Sequence, residues 1–280
     1  MTHSFPYQIS HEYGETFLTN KPVRVATIST GQTDSCVTLG IIPVGTTQGH
    51  GTGVFEPYLS LYYPQHARGL GTMRDLGERK DPDIEAIKSV HPDLILLNSA
   101  GLQQPEILTA LQAIAPAVVT KGRGTNWRSD FLKVAEALGR QPEADSWLQS
   151  WDHDCLHTRP ANTSIAFIQS NGQRVKLMGR HSFAGLIAKD LGLNWGGGED
   201  FASVSRIIEP QDLAGIDADW IIFGGQKNGS SLIRSMAGWE NLRAVQKGQA
   251  VEVDYQPYFN NAGPTAARIV LNQLRAIIGG

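Results

Sequence analysis

Several side chains in this sequence have types and spacings that would serve chemistry if a fold gathered them. His153 and His157 stand four apart on a helical stretch, the spacing of two zinc ligands on one face. Cys155 falls between them on another face and no third ligand is evident, so a solvated helix face is the expected reading. His50, His66 and His181 lie in loop-like segments, where one of them could complete an iron shell or ligate haem. GHGTG (49–53) and WGGGED (195–200) invite a phosphate-loop reading. Neither carries the Lys-Ser/Thr of a P-loop, and neither sits between a strand and a helix. The G-x-S-x-G nucleophile motif is absent, no paired carboxylates stand at strand ends, and Ser29 and Ser170 end strands without a neighbouring base. No nucleophile–base–orienter set is evident. Cys36 and Cys155 cannot build a metal cluster alone; they could pair, but sequence does not bring them together.

The 280 residues suit one large or two modest domains. Hydrophobic residues make up 41% and charged residues 18%, which predicts a packed core. A net charge of -3 gives no basic excess for nucleic acid or an anionic membrane. No segment approaches the roughly 20 apolar residues of a membrane span. MTHSFPYQIS lacks the basic-then-apolar run of a secretory signal, so either the protein is cytosolic or a signal precedes this sequence.

Along the chain, residues 7–19 read as a hairpin and 23–28 as a buried strand. A short helix over 34–39 follows, with Thr33 or Asp34 as its cap, and then a strand at 41–44. About 35 polar, Gly-rich residues come next, a long connection of the kind that is often functional. Asp81 as N-cap and Pro82 at the first helical position open the next helix. Strands at 94–97 and 117–120 flank a helix over 105–114, giving a βαβ alternation and an α/β lobe. The pattern turns helical from Trp127 to His157, interrupted at Gly139–Pro142. A second lobe restarts at 164–169 and 174–179, continues through the helix SFAGLIAKDLG and the strand WIIFGG, and ends on a helix over 263–278 whose stripe is Ala266, Val270, Leu274 and Ile277.

One phrase occurs twice: IEAIKSVHPDLILLN at 84–98 and IEPQDLAGIDADWIIFG at 208–224. KPVRVATISTGQTDSCVTLGIIPVGTT, the first of these phrases, GLIAKDLGLN, DLAGIDADWIIFG and GWENLRAVQKGQAVEVD together resemble, in order and spacing, the periplasmic binding proteins for iron–siderophore, haem and cobalamin uptake. The matches run from about residue 7 to 278. The resemblance implies an α/β fold of two Rossmann-like lobes with parallel-rich sheets joined by a single long helix, with the ligand in a cleft between lobes. The expected divisions are 1–125, a linking segment 126–159, and 160–280. It further implies a ferric siderophore as ligand, an ABC transporter permease as partner, a periplasmic or extracytoplasmic place, a monomer, no cofactor, and iron held by its chelator rather than by the protein. Haem or a corrinoid is the alternative ligand, and a cytosolic α/β enzyme the alternative class.

In this family one carboxylate on each lobe docks permease arginines. Glu85 matches the first position. The second departs from the pattern: Gln211 stands at the equivalent place, and Glu209 is preferred over Asp212. Ligand groups are expected at strand ends, where loops meet. Anionic ferric chelates favour arginine forks, and large flat ligands favour aromatic walls. The first-lobe candidates are Arg68, Arg74, Lys121, Arg123 and Trp127, with Gln32 and Thr47 just past strand ends. The second-lobe candidates are Arg180, Trp195, Phe201, Lys227, Tyr255 and Tyr258. Arg180 leads because it directly follows the strand RVKLMG. Arg74 and Arg123 come next.

Overall fold

The structure is a computed structural model that describes residues 4–49, 53–102, 104–157 and 162–279. His50 and the middle of GHGTG fall outside the described residues. The chain divides into two compact units: Met1–Gln149 with Asn261–Ala266, and Ser150–Asn260 with Ala267–Gly280.

The first unit opens on an antiparallel hairpin, β1 (Tyr7–His11) and β2 (Gly14–Leu18). Its sheet contains β3 (Val25–Thr27), β4 (Gly45–Gln48), β5 (Arg74–Glu78), β6 (Asp81–Pro82), β7 (Leu94–Asn98) and β8 (Ala117–Thr120). Their order is β6-β5-β4-β3-β7-β8, parallel except for the short β6. Helices α1 (Thr30–Thr38), α2 (Pro57–Tyr62), α3 (Ala67–Leu70), α4 (Ile84–Ser89) and α5 (Pro105–Gln112) connect the strands. α6 (Trp127–Leu138) and α7 (Gln141–Leu156) follow. All of β7 is buried, as a strand covered on both faces must be. Leu94 and Leu96 pack with Ile9, Leu18 and Phe131, while Ile95 and Leu97 pack with Ile87, Leu108 and Leu111.

Four local expectations shift. The second strand is β4 at 45–48, not 41–44: β4 lies between β3 and β5, and Pro43 has no N–H to give such a central strand. Ser29, not Thr33 or Asp34, stands at the N-cap of α1. Asp83, not Asp81, caps α4 by accepting from the Ala86 N–H at 2.9 Å. Asp81–Pro82 instead forms β6, returning on β5. The long polar connection holds α2, α3 and β5.

The helical run breaks at Gly139, whose φ of 59° closes α6. The division between units falls inside α7, within the expected linking segment 126–159: α6 and the start of α7 count with the first unit. Asn261–Ala266 also count there, because Asp34 of α1 accepts from the Thr265 and Ala266 N–H groups.

The second unit contains β9 (Ser164–Ser170), β10 (Val175–Met178), β11 (Asn194–Trp195), β12 (Ser205–Ile207), β13 (Trp220–Gly225) and β14 (Ala250–Glu252). The order is β12-β10-β9-β13-β14, with β11 also on β9. β11, β13 and β14 run parallel to their neighbours in the ladder, but β10 is antiparallel to both β9 and β12. Helices α8 (Phe183–Asp190), α9 (Gly229–Arg234), α10 (Arg243–Gln246) and α11 (Pro264–Gly279) complete the chain. On α11, Ala266, Val270 and Leu274 are fully buried and Ile277 is half-buried, as the stripe predicts. Cys36 and Cys155 are both buried and are not joined to each other by a disulfide.

The repeated phrase has a structural counterpart in each unit. Asp93 precedes β7 and accepts from the Val23 and Arg24 N–H groups, both at 2.9 Å, just before β3 begins. Asp219 precedes β13 and accepts from the Ser164 N–H and hydroxyl, both at 2.8 Å, where β9 begins. The registers correspond: Val25 pairs with Leu94 and Ile165 pairs with Trp220.

Candidate functional site

In the first unit the chain leaves β3 for β4 on one side and later returns to place β7 on the other. The point where strand order reverses, at the C-terminal ends of the strands, is where open α/β sheets bind ligands. A buried polar network occupies it. The Asn98 amide, just at the end of β7, donates to Ser29 Oγ at 2.8 Å, and Gln32 Nε2 donates to Thr120 Oγ1 at 2.7 Å. The Ser29 hydroxyl bonds Gln32 Oε1. Thr33 Oγ1 lies 2.7 Å from both Thr27 Oγ1 and Thr46 Oγ1. Gln32 is therefore committed on both ends of its amide and buried, so it ties the strand-end loops together rather than reaching outward. Among the described residues, the Oγ1 of wholly buried Thr47 has no hydrogen-bond partner.

The cations around this edge sort by strand direction. Arg74 opens β5 and pairs level with Gly45, the first residue of β4, so it stands at the N-terminal edge. The candidacy of Arg74 rested on a loop that is in fact a strand, and the arginine at the other end of that strand is Arg79. Arg68 is exposed on α3, which packs Gly69 against Ile42 in the lead-in to β4 and so also lies toward the N-terminal side. Lys121 and Arg123 follow β8 and are exposed at the C-terminal edge. Trp127 is not a wall for a ligand: it is 2% exposed and packs edge-on to Trp147, with ring centroids 6.1 Å apart.

Arg79 was missed in the sequence because β5 was read as loop. It follows the C-terminal end of β5 and lays its stem over Gly101, after β7: a methyl on Gly101 would stand 3.2 Å from both Arg79 Cγ and Cδ. Among the described residues it has no hydrogen bond or ion pair. Partial burial holds its guanidinium below the usual arginine range. A half-buried, unpaired arginine over the strand ends is an anion-seeking group. The signal for it was Gly77-Glu78-Arg79 ending a strand just before the Asp83 cap.

In the second unit the candidates also separate. Lys227, with φ 52°, is exposed in the loop after β13. The Tyr255 hydroxyl donates to Gln169 Oε1 at 2.6 Å near the end of β9, and burial raises its pKa. Tyr258 is 1% exposed among Phe167 and Phe259 and belongs to the core; burial pushes its phenol up as well. Arg180 follows β10, and β10 runs opposite to β9 with Met178 level with Phe167. Arg180 thus leaves the ladder heading toward the end of β9 where Ser164 pairs with Asn194 of β11, not toward the shared C-terminal edge. A tight hairpin after β9 produces this reversal. Arg180 is half-exposed, with Nε 3.4 Å from Asp200 Oδ2. Nearby, Trp195 and Phe201 meet edge-on at 6.3 Å, Trp195 Nε1 donates to the Gly198 carbonyl at 3.2 Å, and the Arg206 guanidinium covers Phe201 at 5.7 Å.

Glu85 stands on α4 with its side chain 81% exposed and an i,i+3 ion pair to Lys88 at 2.7 Å. Glu209 is exposed ahead of the 3-10 turn Pro210–Gly215, and its N–H donates to Asp212 Oδ2 at 2.7 Å. Asp212 is engaged by that N–H and by Arg206, which together hold its carboxyl below the usual range. His153 and His157 stack at 4.1 Å, and among the described residues no three His, Cys, Asp or Glu side chains gather to hold a metal ion. No helix of the described residues is long and apolar enough to cross a membrane.

A family model described as "Periplasmic binding protein" matches residues 25–257. The Fe(3+) dicitrate-binding periplasmic protein FecB of Escherichia coli is 25% identical over 275 residues, covering 95% of this chain and 88% of that protein. The achromobactin-binding periplasmic protein of Dickeya dadantii is 28% identical over 278 residues, covering 92% and 87%. Among solved structures, Staphylococcus aureus SirA complexed with staphyloferrin B matches with a TM-score of 0.82 at 21% identity over 98% of each chain, a likeness of fold. The family match takes in most of both units, their sheets included, and this chain belongs to the periplasmic binding protein family.

Proposed function

We propose that this chain captures an anionic ferric chelate, a ferric–siderophore complex with carboxylate arms, outside the cytoplasm and delivers it to an ABC permease. Arg79 carries the reading. Its unpaired guanidinium stands at the strand-end edge, with exposed Lys121 and Arg123 on the loop after β8. A forked cation there would pair with carboxylate oxygens of the chelate in a site drier than bulk water, where charge-assisted hydrogen bonds are strongest. Two relatives are named for ferric citrate complexes: FecB, and the Fe(3+)-citrate-binding protein YfmC of Bacillus subtilis, 25% identical over 283 residues. Iron is cargo, enclosed by its chelator, and the protein performs no reaction on it. Arg180, the leading candidate by sequence, leaves β10 away from the C-terminal edge of its own sheet and is not part of this reading. Glu85 and Glu209 are the permease-docking carboxylates, and the protein acts as a monomer.

The test is a fluorescence titration with ferric citrate, a ferric hydroxamate, a ferric catecholate, haem and cobalamin, each against its metal-free form. Saturable quenching by ferric citrate at submicromolar concentration is expected. Arg79→Ala should weaken it about tenfold to a hundredfold, the worth of one or two hydrogen bonds to a charged partner. Tight haem or cobalamin binding with no response to ferric chelates would replace this reading, and silence across the panel would refute it.

A further inference from the structure

Loop 121–126, which follows β8, is held with more care than a connection needs. The carboxylate of Asp130, in the first turn of α6, grips it at two points: Oδ1 accepts the Lys121 N–H at 3.0 Å and Oδ2 accepts the Gly122 N–H at 2.8 Å. Two further bonds fix the same residues. Ser99 Oγ donates to the Lys121 carbonyl at 2.7 Å, and Asn126 Nδ2 donates to the Gly122 carbonyl at 2.7 Å. Gly122 lies so close to Asn98 that a methyl on it would stand 2.9 Å from the Asn98 amide carbon and oxygen. The loop is thereby keyed to the polar network at the strand ends.

The residue this grip delivers is strained. Arg123 has φ 64° and ψ 151°, a region that residues with a Cβ avoid and glycine adopts freely. It sits between Gly122 and Gly124, yet an exposed arginine occupies the strained position. Such strain persists only where surroundings over-determine the backbone, and it gathers at ligand clamps.

We propose that Asp130 is a positioning residue for ligand capture: by fixing the Lys121 and Gly122 N–H groups it sets loop 121–126 so that Arg123 is presented ready-made at the C-terminal edge of the first unit's sheet. This rests on the ferric-chelate reading above. Preorganising a cation in this way removes the ordering cost that binding would otherwise carry. Burial pushes the Asp130 carboxyl up to about 6, against the pull of the Gly122 and Lys121 bonds. The Thr120 side chain also pulls it down, and the charge that bears on it is Glu12, from the β1–β2 hairpin, which raises it further. A protonated carboxyl keeps one good acceptor oxygen and turns the other toward an N–H as a hydroxyl, so it holds the loop less well.

The test compares wild type with Asp130→Asn, whose shape is nearly the same but which must aim an amide N–H at one of the two loop donors. In the ligand-free proteins, amide exchange at Lys121 and Gly122 should be faster in the variant; unchanged exchange overturns the clamp. With ferric citrate in excess citrate, the variant should bind about tenfold more weakly while its Tm moves little. Affinity within about twofold of wild type overturns the inference. The ratio of the two affinities, in which the chelate's own titration cancels, should fall toward one as pH is lowered through about 6. A ratio that is constant with pH reduces Asp130 to a structural role and overturns the proposal. Failure of wild type itself to bind ferric citrate overturns the functional reading on which the inference rests. Normal binding by both proteins overturns the inference alone.

Discussion

Asp34 offers the sharpest test of how this fold holds itself together. α11 begins at Pro264, and its local cap position is Gly263, which has no side chain. The capping group arrives instead from α1, far away in sequence. Asp34 is wholly buried, and it accepts from the Thr265 N–H at 2.7 Å, the Ala266 N–H at 3.0 Å, the Tyr58 hydroxyl at 3.0 Å and the Thr38 hydroxyl at 3.3 Å. Burial pushes its pKa up, while the bonds from Thr265, Ala266 and Tyr58 pull it down. Asp34→Ala leaves two buried backbone N–H groups without an acceptor. At about 1–3 kcal/mol for each orphaned donor, the loss should be on the order of 3–5 kcal/mol. Asp34→Asn keeps the shape but must point its NH2 at one of the two backbone donors, whichever way the amide is turned. One donor stays orphaned, and the loss should be about 1–3 kcal/mol. Gly263→Ala should act through the same contact, because its methyl would stand 2.4 Å from Asp34 Cβ and Cγ. Urea unfolding followed by circular dichroism ranks the three variants, and amide exchange of Thr265 and Ala266 locates the effect. An Asp34→Ala protein within about 0.5 kcal/mol of wild type, or with both amides still protected, would refute the argument, since surface-like tolerance is incompatible with a buried four-donor carboxylate.

Two further perturbations follow from geometry already described. Gly122→Ala adds a methyl 2.9 Å from the Asn98 amide at a φ of 75°, and should lower stability by about 1–3 kcal/mol and shift Tm downward in a thermal melt. Asp219 is held below the usual carboxylate range, first by the Ser164 N–H, then by the Ser164 hydroxyl, with Arg243 adding charge. Its folded pKa lies below the unfolded value of about 3.9, so its stabilising effect is complete above that value and is lost as pH falls through the folded one. Asp219→Asn should therefore be less stable than wild type at neutral pH, with the gap closing in strong acid; a gap that stays constant in acid urea titrations would contradict the assignment.

Much of the fold was legible because its signals are local. The unbroken apolar run Leu94–Leu97 can only be a strand covered on both faces, and the stripe on α11 can only be a helix lying on a core. The binding residues were legible only in kind. Whether an arginine near a strand reaches the ligand edge depends on the strand's limits and direction, and both are set by partners distant in sequence. Arg74 and Arg79 bracket one five-residue strand, and only its pairing with β4 tells which of them lies at the C-terminal end. Arg180 follows a strand whose direction is fixed by a hairpin to β9 and a second antiparallel pairing to β12. Trp127, Tyr258 and Gln32 are of types that suit a ligand wall, but Trp127 and Tyr258 went into cores and Gln32 into a network, outcomes that side-chain type alone does not decide.

The doubled phrase was legible for a different reason, and its strongest element was not the one that suggested docking. Its glutamates, Glu85 and Glu209, are exposed and act locally: Glu85 pairs with Lys88, and Glu209 caps the 3-10 turn in a reciprocal box with Asp212. Its aspartates tie strands together. A central parallel strand begins with N–H groups that have no ladder partner yet, and a carboxylate one residue before the neighbouring strand is placed to accept them. Asp93 does this for Val23 and Arg24, Asp219 does it for Ser164, and in both units the next residue is the first to pair with the strand that follows the aspartate. The spacing from the start of the phrase to the aspartate is nine residues in the first copy and eleven in the second, and a helix, α4, in one becomes a 3-10 turn in the other. What is shared across the two copies is therefore the aspartate and the apolar strand behind it. Loss of either aspartate should loosen the start of β3 or β9 while leaving the proposed docking glutamates, Glu85 and Glu209, untouched, so faster amide exchange at Val23, Arg24 or Ser164 reads the stability role apart from any docking role.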